Sequence, residues 1–403
     1  MKPDILTPFL DDMDVILYAG DCIEVMKRMP GSSVDAIVTD PPYGLEFMGK
    51  GWDGFGTPLG FQTWTEAWAL EAFRILKPGG HLLAFAGTRT YHRMASGVED
   101  AGFEIRDCIA WMYGSGFPKS LDVSKAIDKA AGAERDRVVE YAGTSGSLSG
   151  PRVNVIDPGE PITAAAAAAA GWGTALKPAF EPVVVARRPL IGTVAANVLE
   201  HGTGALNIDA CRIGSDAGWS YPNGRGGQGW HGKDSLGKNL DKPIESSAGR
   251  WPANIALDAT AAKMLDEQSG TSSSTIGKPR SAGNGHGWGM TETGAEYADT
   301  GGASRFFYTA KASRQDRNVG GLADNTHPTV KPTELMRWLI RLVTPPGGII
   351  LDPFGGSGST GLAARAENVR CILIEREPEY LQIIRDRLAQ QNLFATDTTT
   401  HAT

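Results

Sequence analysis

The stretch Thr39-Asp40-Pro41-Pro42-Tyr43-Gly44 puts a carboxylate, two rigid prolines and an aromatic ring side by side. It follows Val34-Asp35-Ala36-Ile37-Val38, a largely β-branched apolar run that reads as a buried strand. Asp40 therefore falls just past a strand's carboxyl end, where open α/β sheets bind ligands. The prolines fix φ and remove two backbone donors, so the loop presents carbonyls, a carboxylate and a ring in a stiff arrangement. That combination suits a planar ring bearing an amino group, with acceptors for the NH2 and a flat surface for stacking. An ordinary strand-to-loop turn uses the same residue types, so the choice between the two depends on a second signal.

That signal lies near the other end of the chain. Ile349-Ile350-Leu351 reads as a strand running into Asp352-Pro353-Phe354-Gly355-Gly356-Ser357-Gly358-Ser359-Thr360. A short helix over 361–366 follows, then the strand Cys371-Ile372-Leu373-Ile374 ending at Glu375. Strand, glycine turn, helix, and an acid at the next strand's tip form a nucleoside-binding layout. The glycines let the backbone approach a ligand, and the acid can accept from ribose hydroxyls. The lysine that a phosphate-binding loop needs before Ser/Thr is absent, and the run is not a Gly-x-Gly-x-x-Gly fingerprint. A nucleoside with an amino-acid-like tail fits better than a pyrophosphate.

The elements that must position these loops alternate. Val15–Tyr18 is a strand ending at Gly20-Asp21-Cys22, and 23–29 is a helix closed by Pro30-Gly31. Trp64, Trp68, Ala72 and Leu76 recur every four residues on a helix stopped by Pro78-Gly79-Gly80. A strand over 81–86, a helix over 90–102 and a strand over 105–113 follow. Near the C-terminus, Pro332 opens a helix with Met336, Leu339, Ile340 and Val343 as its apolar stripe and Glu334, Arg337 and Arg341 facing away. Pro378 starts the last helix, with Tyr380, Ile384 and Leu388 on one face. This grammar predicts an α/β fold with a doubly wound, mostly parallel sheet assembled from both ends of the chain. The expected division is a first catalytic half over 1–120, a large loop-rich inserted lobe over 121–325, a second catalytic half over 326–395 and a disordered tail over 396–403. The middle stretch is rich in glycine, with an alanine run and tryptophans at 172, 219, 230, 251 and 288. Val183–Ala186, flanked by Arg187-Arg188, and Asn207–Ile213 are its candidate strands. The Gly/Trp/Arg/Asn mixtures in 217–232 and 281–290 read either as linker or as partner-contacting loops.

Size and charge narrow the partners. The 403 residues accommodate two domains or one with an insertion. A formal net charge of −7 means that a nucleic acid must be held by local basic patches rather than by the global field. The four cysteines, Cys22, Cys108, Cys211 and Cys371, have no paired spacing, which argues against a zinc site and a disulfide framework. A reducing, cytoplasmic setting is expected. The first residues lack a signal peptide's apolar core, and no apolar run reaches membrane-spanning length.

Taken in order, the motifs resemble those of DNA amino-methyltransferases that use S-adenosylmethionine, in the permuted arrangement called the β group. The matching residues are Gly20-Asp21-Cys22, Asp40-Pro41-Pro42-Tyr43, His327-Pro328-Thr329-Val330-Lys331-Pro332, Asp352-Pro353-Phe354-Gly355-Gly356-Ser357-Gly358, and Glu375. The resemblance covers roughly 14–120 and 326–390. It implies a Rossmann-like, circularly permuted catalytic domain, with the middle lobe in the place of a target-recognition region. It implies that Asp40 and the Pro41 carbonyl grip an exocyclic amine while Tyr43 stacks on a flipped base, Pro42 stiffening the loop. For the methyl donor it implies contacts from the Phe354–Gly358 turn along the methionine, from Glu375 to the ribose and from Asp21-Cys22 to the adenine. The segment from His327 through Thr329 to Lys331 would hold the amino-acid end, with Asp352 entering the turn. Asp21 as a mere helix cap, His327-Pro328 as an entry turn and Lys331 as a solvated charge are the alternatives. Asp at the first motif position leans by resemblance toward adenine N6, since cytosine-N4 enzymes more often show Ser there. The style of the middle lobe and of the loop 47–53 also resembles phage and prophage enzymes. The implied partner is double-stranded DNA, without membrane or metal. A homodimer is compatible with the residues, and no partner nuclease is indicated. An RNA or small-molecule amine methyltransferase, or a DNA-binding protein that has lost catalysis, are the competing classes.

Overall fold

A computed structural model of the chain describes residues 6–12, 14–45, 53–116, 120–135, 138–141, 153–157, 159–214, 249–273, 299–310 and 330–397. Chain order begins β1 (Leu10–Asp12), β2 (Val15–Ala19), α1 (Cys22–Lys27), β3 (Val34–Thr39), α2 (Pro58–Ile75), β4 (Leu76–Phe85), α3 (Tyr91–Asp100) and β5 (Glu104–Met112). Then come α4 (Val123–Ala130), β6 (Val138–Tyr141), β7 (Val153–Asp157), α5 (Ala164–Ala168), β8 (Phe180–Arg187) and α6 (Val194–His201). The remainder is β9 (Ile255–Asp258), α7 (Ala259–Ser269), β10 (Ser272–Ser273), β11 (Thr300–Gly301), β12 (Tyr308–Ala310), α8 (Thr333–Val343), β13 (Ile349–Asp352), α9 (Ser359–Ala366), β14 (Arg370–Glu375) and α10 (Pro378–Asp397).

Among the described residues, ten strands form one sheet in the order β1-β2-β14-β13-β3-β4-β8-β5-β9-β12. The run β2-β14-β13-β3-β4 is parallel throughout, as are β5-β9 and β9-β12. β8 is antiparallel to both its neighbours, β4 and β5, and β1 is antiparallel to β2. The mostly parallel, doubly wound α/β sheet expected from the sequence is therefore present, and it is assembled from both ends of the chain. β3 is buried along its whole length, because apolar layers cover both faces of the sheet. Ala36 and Val38 pack with α8 and α9 on one face, and Ile37 packs with α1, α2 and α3 on the other.

Compact units divide the chain differently from the expected 121–325 lobe. One unit comprises residues 1–114 and 180–403, the other only 115–179. The reason is strand pairing: β8, β9 and β12 all come from the stretch expected to be a lobe, and all are members of the main sheet. In the smaller unit, α4 and α5 pack together and β6 pairs with β7. Its buried Asp128 accepts from Arg135 Nε (2.6 Å), Ile162 N (3.1 Å), Thr163 N (3.0 Å) and Thr163 Oγ1 (2.8 Å).

Three local expectations change for physical reasons. α2 ends at Ile75, and β4 already begins at Leu76, running through Pro78-Gly79-Gly80. The returning chain after β8 supplies partners there, with Arg188 N donating to Gly80 O (2.9 Å) and Gly79 N to Arg188 O (3.1 Å). Asn207–Ile213 is not a strand. It holds a single 3-10 turn (Asp209–Cys211) and one isolated bridge, Ile213 to Arg250, while Asn207 N bonds Leu342 O of α8 (2.9 Å). Arg337 and Arg341 do not face away: both grip the buried Glu367, at 2.8 Å and 2.6 Å. The mixtures at 217–232 and 281–290 lie outside the described residues, as do residues 398–403 of the expected tail, whereas 396 and 397 fall within α10.

Candidate active site

Asp40 stands at the tip of β3, and the loop that carries it is fixed on both sides. Thr90 Oγ1 donates to Tyr43 O (2.6 Å), and the buried Asp53 accepts from Gly44 N (2.7 Å) and Leu45 N (3.0 Å). Gly44 adopts φ +67°, and a Cβ there would come within 2.9 Å of the Phe61 ring, so this turn requires glycine. One strand neighbour of β3 is β13, which pairs Ile350 with Ala36 and Leu351 with Ile37. The Asp40 loop and the glycine turn thus leave adjacent parallel strands at the same edge of the sheet.

Lys331 joins Asp40 directly. Its Nζ donates to Asp40 Oδ2 (2.6 Å) and to Tyr43 Oη (3.2 Å), and stands 3.3 Å from Glu181 Oε2. The Tyr43 hydroxyl reaches Asp40 Oδ1 (2.8 Å) and Glu181 Oε2 (3.1 Å), its single proton serving one at a time. Only 7% of the Lys331 side chain is exposed, and Nζ lies 4.9 Å from the centre of the Phe85 ring. Burial opposes its charge, but the Asp40 and Glu181 carboxylates outweigh that cost and hold the ammonium above its usual range. Burial, reinforced by the same two carboxylates, pushes the Tyr43 phenol well above its usual value. Lys331 is therefore not a solvated charge. Its partners are the acid and the ring of the motif.

Glu181 belongs to none of the motifs legible in the sequence. It opens the apolar stretch of β8 and is the register partner of Trp111 on β5, which puts the two on one face together with Tyr113 beyond. The available signal was the acid–proline step Glu181-Pro182 before three valines, which looks like any strand start.

The glycine turn is tied to both neighbouring strands. Glu375, at the tip of β14, accepts from Gly356 N (2.7 Å), Arg376 N (2.8 Å) and Glu377 N (2.8 Å). Burial nonetheless raises its carboxyl above the usual range. Gly355 N bonds Ile374 O (2.8 Å), and Gly356 and Gly358 take φ +52° and +80°. Gly358 caps α9 with no side chain bonded to the helix's first amides. Ser357 is buried, its carbonyl accepting from Arg387 and its hydroxyl 3.3 Å from Ser359 Oγ. Asp352 is 2% exposed, and both its oxygens are engaged: Oδ1 accepts from Thr39 Oγ1 (2.6 Å) and Phe354 N (3.0 Å), Oδ2 from Thr360 Oγ1 (2.5 Å). Burial pushes its carboxyl up to about 7 despite those donors. Asp352 is a joint between the two loops, since Thr39 immediately precedes Asp40. The Phe354 ring packs edge-on against Trp68 (5.5 Å between centroids) and also against Trp64.

The other expected residues are placed as follows. Asp21 caps α1, its Oδ1 accepting from Ile23 N (3.0 Å) and Glu24 N (3.3 Å). The Cys22 thiol is in the core, and burial pushes it up to about 12. His327 and Thr329 lie outside the described residues, as do residues 46–52 of the aromatic loop. Arg187 and Arg188 are structural. Arg187 is buried against Glu104 (2.6 Å), while Arg188 bonds Leu76 O and Ser32 Oγ and lies 4.9 Å from the Phe73 ring centre.

The profile of the N6_N4_Mtase family, described as DNA methylase, matches residues 34–137 and 246–386, more than half of the chain. The protein belongs to this family of DNA methylases. It is 23% identical over 409 residues to the type II methyltransferase M.HindIII of Haemophilus influenzae, covering 92% of this chain and 94% of that one. It is 39% identical over 103 residues to the type II methyltransferase M.XycI of Xanthomonas campestris pv. cyanopsidis, covering 22% and 34%. Among solved structures it resembles the cytosine-N4-specific PvuII DNA methyltransferase (TM-score 0.47, 15% identity, 96% and 93% covered). It also resembles the M1.HpyAVI–SAM complex (TM-score 0.40, 17% identity, 93% and 98% covered).

Proposed function

We propose that the chain transfers a methyl group from S-adenosylmethionine to the exocyclic N6 of adenine in DNA. The observation that carries this reading is the side-by-side exit of the Asp40 loop and the glycine turn from β3 and β13, joined through Thr39 and Asp352. One loop offers acceptors for an amine, and the other offers a place for its methyl donor. The chain's residues fit such a donor. Gly356 and Gly358 sit in left-handed conformations that favour glycine and leave those two positions without a side chain, α9 begins without a side-chain cap, and Glu375 is fixed at the neighbouring strand tip. Glu375, the Phe354–Gly358 backbone and the free oxygen edge of Asp21 are the groups that would hold it. When bound, it supplies an electrophilic methyl group.

An aromatic amine's lone pair is delocalised into its ring, so it attacks poorly until acceptors draw on its N–H bonds. Asp40 and the Pro41 carbonyl accept from that amine, and the carboxylate stabilises positive charge as it develops on nitrogen. Tyr43 supplies the stacking face. Reaching this site from a duplex requires base flipping, at about a few kcal/mol. Asp at the first motif position is the support for adenine over cytosine N4. The test is to treat unmodified DNA with enzyme and S-adenosylmethionine, digest it, and identify the methylated nucleoside by mass spectrometry. N4-methylcytosine would overturn the base assignment, and an unmodified digest the function itself. Asp40→Ala should abolish transfer while leaving S-adenosylmethionine affinity within a few-fold, and joint loss of both would remove the role given to Asp40.

A further inference from the structure

The ammonium of Lys331, 2.6 Å from Asp40 Oδ2, occupies one of the two acceptor positions on the oxygen that an incoming target amine approaches. A second carboxylate, Glu181 Oε2, stands 3.3 Å from the same nitrogen, and the Tyr43 hydroxyl lies within reach of both acids. Asp40, Glu181 and Lys331 together carry one net negative charge. When a target amine takes Asp40 Oδ2, a 7%-exposed ammonium loses its closest acceptor. Leaving such a charge unpaired is costly, and a shift of well under the width of one atom would bring it onto Glu181 instead.

We propose that Glu181 is a positioning residue of the target site: it shares the Lys331 ammonium with Asp40 and takes it over when the target amine arrives. Lys331 is then a placeholder that keeps Asp40 neutralised and aimed in the empty site, and Glu181 is the berth that lets it step aside. Phe85 and Tyr43, whose ring centres lie 4.9 and 5.5 Å from Nζ, supply the walls along which it moves. No proton or covalent bond changes hands in this step. The proposal rests on the amine-methylation reading above.

The test is binding without methyl donor, on duplexes carrying the mapped target base or the same base lacking its exocyclic amine. Glu181→Gln should weaken the amine-bearing duplex about ten- to hundredfold relative to the amine-free one, the worth of one hydrogen bond to a charged group. In a Lys331→Met background, where nothing has to be rehoused, Glu181→Gln should add no such selective loss. Equal weakening of both duplexes, or a selective loss that persists without Lys331, would overturn the proposal. Should Glu181→Gln not fold, Lys331→Met alone decides: it should favour the amine-bearing duplex over the amine-free one more than wild type does, and no such gain would overturn the hand-over. A wild-type enzyme that methylates no DNA would instead remove the amine-methylation reading itself.

Discussion

Thr39→Val probes the joint between the two loops. The substitution keeps the side chain's shape and removes the hydroxyl that donates to Asp352 Oδ1 at 2.6 Å, leaving that oxygen only the Phe354 amide at 3.0 Å. A hydrogen bond to a charged group is worth about 1.5–3 kcal/mol, so a loss of that size is expected where Asp352 is ionised. The pH dependence follows from the carboxyl's position. Burial raises Asp352 to about 7, above its unfolded value, so the folded state binds its proton more tightly and stability falls as pH rises from about 4 towards 7. Thr39 is one of the donors holding that carboxyl down, so its removal raises the folded value further, each unit being about 1.4 kcal/mol. The penalty of Thr39→Val should therefore be larger at pH 8 than at pH 6. Denaturant unfolding followed by tryptophan fluorescence at the two pH values measures it. A penalty independent of pH, or greater at pH 6, would refute the reasoning.

Other outcomes can be checked with the same material. Gly358→Ala should cost about 1–2 kcal/mol from the left-handed backbone alone, and because Ile384 lies 3.2 Å from the new Cβ, S-adenosylmethionine affinity should fall with stability; calorimetry that finds both unchanged contradicts the turn's assignment. Glu367→Gln removes the shared partner of Arg337 and Arg341, which are 29% and 20% exposed, and should destabilise by about 2 kcal/mol in urea unfolding. Burial pushes the thiols of Cys22 and Cys211 up to about 12, so roughly one in ten thousand is thiolate at pH 8. Native protein should thus spare both from iodoacetamide and label them only in denaturant, and rapid native labelling of either would place it outside the core.

The parts legible in the sequence are those where local pattern and tertiary role coincide. The β3 run, buried on both faces, reads as an apolar strand interrupted only by Asp35, and the α8 stripe of Met336, Leu339, Ile340 and Val343 faces the core as its spacing predicts. What escaped depends on partners distant in the chain. Pro78-Gly79-Gly80 carries every local mark of a stop, yet it continues a strand because Arg188 pairs with it from more than a hundred residues away. Arg187-Arg188 looks like an exposed basic pair, and no local feature shows that Glu104 and the Leu76 carbonyl are waiting for it. Asp352 and Asp21 illustrate the converse. Both stand where a ligand-binding acid is expected, but the oxygens of Asp352 go to two threonine hydroxyls, and Oδ1 of Asp21 goes to the first amides of α1.

β8 explains why the polar cluster around Asp40 is larger than the motif. A parallel sheet built from 14–120 and 330–390 alone would leave β4 and β5 separated, and β8 fills that place antiparallel to both. Running antiparallel, it brings its first residues, not its last, to the edge where β3 and β13 end. Glu181 thereby arrives beside Asp40 on a strand whose valines are buried in the sheet. A stretch expected to belong to the inserted lobe therefore completes the polar group around the motif. The Glu181 backbone is held in the sheet by pairing with Trp111 of β5.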